Sequence, residues 1–179
     1  MNENKLQPGW PAVMRFLYNA ASPEAGFWYA DPLHEVQGLT EDQLYWLPDT
    51  HSLCLLWQVG HIACRERLHI GAFLQGLTVP ELWPESYGVF GHEWASVDQV
   101  RVAVGDVEEL FNWVHQARRA SQQYISSLQP ADFLAVPQTS EDGLTVAHWL
   151  TITACHTALH IGRIQMLRAM IERKPERAC

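Results

Sequence analysis

The chain has 179 residues with a formal charge of −8, and one hydrophobic core can bury about 70% of the unfolded surface at this size. One domain over residues 1–179 is therefore expected, with no metal needed to hold it together. The acidic balance and the lack of any basic stripe argue against nucleic acid, whose phosphates are met by Lys and Arg. The polar start MNENKLQPG and the absence of any long apolar run predict a cytoplasmic protein without a membrane partner.

Apolar periodicity and turn residues divide the chain into four long helical units. The first is expected over roughly 10–36, where Trp10, Val13, Met14, Leu17 and Tyr18 have helical spacing. Ser22-Pro23-Glu24 reads as a cap and restart, and Pro32 should end or kink the helix near its far end. GLTEDQLYWLPDTH links to a second helix over about 52–75. A connection over 76–95 carries Trp83, Tyr87, Phe90 and Trp94 among prolines and glycines, suggesting a lid or a packed edge. The third helix opens at Ser96 with Gln99 three residues on, a capping box, and continues through Val114 and Ile125 to Leu128. Pro130 and Pro137 mark the next connection, and the fourth helix runs from about Thr145 to Arg173. Few strand signals remain, so the fold class is all-α, a four-helix bundle with a long connection between helices 2 and 3.

Nine histidines include His156 and His160 in LTITACHTALHIGRIQMLRAM, four residues apart on the last helix. That spacing stacks both imidazoles on one face, about one turn apart. The seam of this helix is read through Trp149, Thr153, His156, His160, Arg163, Leu167 and Met170. Imidazoles on a core-facing seam need hydrogen bonds or a metal. His61, in the apolar-periodic SLCLLWQVGHIACRERLHIGAFL, would bring a third imidazole from an opposing helix. Three neutral imidazoles suit Zn, Ni, Cu or Fe and leave a position open for chemistry. Cys54, Cys64, Cys155 and Cys179 form no CxxC pair, which fits a reducing compartment. Cys64 and Cys155 lie close to the histidines in sequence, with buried small thiols as the plainer reading.

GLTEDQLYWLP, LLWQVGHIACRERL, GLTVAHWL and HTALHIGRIQMLR occur in an order and at separations that resemble the DinB/YfiT-like superfamily of four-helix-bundle metal-binding proteins. The resemblance covers nearly the whole domain. It implies a divalent metal, nickel or zinc, held by His61, His156 and His160. It also implies a thiol-dependent S-transferase or isomerase acting on a small-molecule electrophile with a low-molecular-weight thiol such as bacillithiol, mycothiol or glutathione. The family often reads His-x-Gly-Gln after the last ligand, whereas this chain has His160-Ile161-Gly162-Arg163. Gly162 would let a neighbouring helix approach, and Arg163 becomes a candidate anchor for a carboxylate of substrate or thiol.

Arg65 shares the face of His61, while Glu66 is turned away, either supporting the site or solvated. His92 and Glu93 would enter the site if the aromatic connection folds over it. His34, His51, His69, His115 and His148 are read as structural or surface groups. No Gly-x-Ser-x-Gly, phosphate loop or dinucleotide fingerprint supports another enzyme class. The competing readings are a metal-dependent hydrolase and a non-catalytic metal-binding stress-response protein, homodimeric through an exposed helix face.

Overall fold

The computed structural model describes residues 31–140 and 142–173, in which every regular element is helical. The all-α expectation holds. Most of the expected first helix lies outside these residues, and its end forms a short helix, α1, over Pro32–Val36. Pro32 opens this helix rather than ending one: Asp31 caps it by accepting from the Leu33 amide at 3.0 Å, and proline costs no hydrogen bond in the first turn. A Thr40–Gln43 capping box then starts α2, Glu41–Leu44.

The expected second helix is continuous but changes pitch. It is α-helical over Leu55–Glu66 (α3) and π-helical over Arg67–Leu74. A π turn takes more residues than an α turn, so the wider segment rephases the chain without breaking it. The connection after it is folded rather than open, with α4 at Val79–Leu82 and a 3₁₀ segment at Glu85–Gly91. Tyr87 and Phe90 are buried there, whereas Trp94 is exposed.

The expected third helix is two. α5, Val97–Val104, starts at the Ser96–Gln99 capping box, and α6 runs over Val107–Ser127. Gly105 breaks them at φ 61°, a left-handed conformation that glycine adopts without a Cβ penalty, and Asp106 immediately caps the next helix by accepting from the Glu108 amide. After a 3₁₀ turn at Asp132–Leu134, Thr145 caps α7, Val146–Glu172, close to the expected ends.

α3 packs against both α6 and α7. Two apolar clusters fill the interior. One joins α1, α3, α5, the first half of α6 and the end of α7; the other joins Ile70 and Leu74 of the π segment to Ile125, Phe133, Val146 and Leu150. No helix among the described residues is long and apolar enough to cross a membrane.

Candidate metal centre

The glycine at position 60 sets the site's geometry. A Cβ there would lie 2.6 Å from the Phe90 ring, so the missing side chain lets the connection lie directly on α3. The Phe90 carbonyl then reaches the next residue, His61, and accepts from its Nδ1–H at 2.7 Å. With the proton on Nδ1, the Nε2 lone pair of His61 is free. Trp57, one turn earlier, stacks on the same ring with centroids 4.3 Å apart.

His160 is oriented in a similar way from α7, its Nδ1 lying 2.5 Å from the Gln58 Oε1. Donating that proton to Gln58 leaves the His160 Nε2 unprotonated as well. His156 completes the group: its Nε2 is 3.1 Å from the Nε2 of His61, and its ring centroid is 4.4 Å from that of His160. Ligand atoms of the three histidines all lie within 4.8 Å of one another, a group that can hold a metal ion.

The donor set fits such an ion. Two nitrogens each about 2.1 Å from one cation, at angles between roughly 90° and 109°, are separated by about 3.0–3.4 Å. Metal-ligating histidines usually donate their other N–H to a carbonyl or carboxylate, as His61 and His160 do. The Nδ1 of His156 is buried with no hydrogen-bond partner among the described residues, so among them this third ring has no comparable brace.

Burial and mutual charge keep these rings neutral. Burial is the main cause pushing His61 down to about 4, the Phe90 carbonyl opposing it and His156, Arg65 and Arg163 adding to it. His160 is pushed down to about 3 by burial and then by its two neighbours, with Arg163 and Arg65 contributing. His156 is lowered by burial, then by Arg65, with Glu93 opposing. A cation therefore has no proton to displace near neutral pH.

The same shifts fix the pH dependence of stability without metal. Histidine titrates near 6.5 when unfolded, so as pH falls below that value the unfolded chain takes up protons that folded His61, His69 and His160 refuse until about pH 4 to 3. Stability is fully present above 6.5 and is lost as pH falls through this window. Thermal melts of chelated protein from pH 7 to 4 should show a falling midpoint; a flat profile would contradict the neutral buried cluster.

A model of the DinB superfamily matches residues 29–164, which contain all three histidines. The chain belongs to the DinB superfamily. Neither a curated protein nor a solved structure matches it.

Several expectations for this DinB-superfamily chain need correction. The α7 seam buries Trp149, Thr153, His160 and Leu167 as expected but departs from the expected one at three places, where Thr157, Ile164 and Ile171 are buried instead of His156, Arg163 and Met170. Arg163 and Met170 are consequently exposed, and His156 sits half-buried at the edge of that face. Arg163 still borders the site, since its charge acts on all three rings. A Cβ at Gly162 would meet no described neighbour within 4 Å, whereas one at Gly60 or Gly71 would lie under 3 Å from another side chain.

Glu66 is not solvated. It is buried in an ion pair with Arg118 at 2.6 Å, tying α3 to α6. Cys64 is buried, its thiol donating to the Tyr87 carbonyl at 3.6 Å, and burial pushes its pKa up; it lies outside the three-histidine group. Cys155 is exposed and is also outside that group. His92 is exposed, while Glu93 forms an ion pair with Arg65 at the site's rim.

One supporting residue, Gln58, has no counterpart among the sequence expectations, and His69, read there as structural or surface, is structural. Gln58 lies three residues before His61, a spacing that could have suggested it. His69 is buried, with Nδ1 3.0 Å from the Thr153 hydroxyl and its ring 6.3 Å from that of His156. Nothing local in the sequence marks His69, because its placement depends on the π segment.

Proposed function

We propose that this DinB-superfamily protein binds one divalent ion, nickel or zinc, through His61, His156 and His160, and uses it as a low-molecular-weight-thiol-dependent S-transferase or isomerase. The observation that carries the metal reading is the outward commitment of the His61 and His160 Nδ1–H groups, to the Phe90 carbonyl and the Gln58 amide oxygen. Both Nε2 atoms face a shared point with His156. When bound there, a divalent ion lowers the pKa of a thiol, so that the nucleophile is available near neutral pH.

The chain's own residues supply the rest. Trp57 covers the His61 ring on the buried side, so access runs past half-buried His156. Arg163 stands at that edge with no ion-pair partner among the described residues, fit to hold a carboxylate of the thiol or its electrophile. None of these three histidines serves as acid or base in this arrangement, because all three are committed as ligands.

The test is a conjugation screen of nickel- or zinc-loaded protein with common cellular thiols and model electrophiles. Arg163→Gln should raise the KM for an anionic thiol about three- to tenfold while changing kcat less, since an anchor contributes mainly uniform binding. Absence of any thiol-dependent rate, together with hydrolysis of model esters or amides, would favour a metal-dependent hydrolase. Absence of both activities would leave a non-catalytic metal-binding protein.

A further inference from the structure

We propose that Arg65 and Glu93 form a displaceable latch beside the triad, opened by a small thiol that carries a carboxylate. The ligand's carboxylate takes the place of Glu93 on the guanidinium while its sulfur reaches the histidine site. This proposal rests on the metal reading above and names the class of thiol the site prefers.

The pair is asymmetric. Arg65 lies one turn after His61 on the same face of α3, and its side chain is only 22% exposed, whereas that of Glu93 is 87% exposed. The guanidinium is thus built into the rim, and the carboxylate hangs in water. Among the described residues, the Glu93 side chain takes its hydrogen bond from Arg65.

The neighbouring arginines are committed differently. Arg118 meets buried Glu66, and Arg67 donates to the main-chain carbonyls of Glu81 and Leu82, acceptors fixed by the fold. Only Arg65, among these three, has a partner that a dissolved carboxylate can replace like for like. The exchange conserves charge, one carboxylate for another, and forms or breaks no covalent bond.

Position gives the exchange its consequence. The Arg65 charge is felt by each of the three site histidines, and Arg163 adds a second cation from α7. Glu93 opposes both at His156. An anion arriving at the triad therefore meets cations from both helices once Glu93 has let go. An exposed ion pair contributes little, so displacement costs at most about a fivefold loss of affinity.

Binding of 3-mercaptopropionate and of 3-mercapto-1-propanol to cobalt-loaded protein, monitored by thiolate-to-cobalt absorption, tests this directly. The two probes differ only in the group opposite the thiol. Glu93→Gln should tighten 3-mercaptopropionate about three- to fivefold, because a competing carboxylate is gone, and leave 3-mercapto-1-propanol unchanged. Arg65→Gln should weaken 3-mercaptopropionate about tenfold and cancel the effect of Glu93→Gln in the double variant. Arg65→Lys, which keeps the charge, should retain most of the preference for the anion. Equal changes for both thiols, or no change on Glu93→Gln, would overturn the latch. Failure of the metal reading looks different: no cobalt absorption band would appear with either thiol, and the latch would fall with it.

Discussion

Replacing His156 and His160 together by alanine should abolish metal retention while leaving the helical fold intact. Protein purified without a nickel column should carry about one divalent ion per chain, since the rings converge on one point. A full protein site for zinc is worth about 10–16 kcal/mol, or about 3–4 per ligand, so losing two ligands weakens binding by about four orders of magnitude or more. Helicity should survive, because the two apolar clusters are built from other side chains, and His61, on which Trp57 stacks, is left in place. Elemental analysis and circular dichroism read the two halves separately. A full equivalent of metal in the double variant would overturn the ligand assignment. Loss of helicity on chelation of the parent protein would make the centre structural.

Phe90→Ala should combine a large loss of stability with weaker metal binding. Phe90 is fully buried, and truncating such a ring costs about 3–5 kcal/mol, or roughly 10 °C in Tm for a chain of this size. The ring also pins its own carbonyl above His61, so the loosened connection should lower metal affinity about 10- to 100-fold. Phe133→Ala supplies the control: Phe133 is equally buried but belongs to the other apolar cluster. It should lose comparable stability and keep its metal affinity. Equal metal affinities in the two variants would show that the Phe90 carbonyl does not brace the site.

The starts of α7 and α5 are legible in the sequence because Thr145 and Ser96 announce them through local capping chemistry. The histidine pair is legible for a similar reason, since i, i+4 spacing fixes a shared helical face. Arg163 and Met170 are misplaced by periodicity because, past His160, a step of three or of four residues keeps a plausible seam, and only packing chooses. The break at Gly105 is hidden by apolar residues continuing on both sides of it. The π segment has no local signature at all, so spacing alone does not put His69 against Thr153 and His156. Gln58 and the Phe90 carbonyl belong to contacts that the sequence does not bring together; folding does.

The two braces of the triad differ in how inheritance can reach them. His61 leans on a main-chain oxygen, which every amino acid at position 90 would still provide; substitution there can move that acceptor but never change its chemistry. His160 leans on a side chain, the amide oxygen of Gln58. A single codon change to glutamate would replace that neutral acceptor with an anion and make the imidazole a stronger electron donor. Drift in the electronic character of this centre therefore has one open route through its braces, and it passes through position 58.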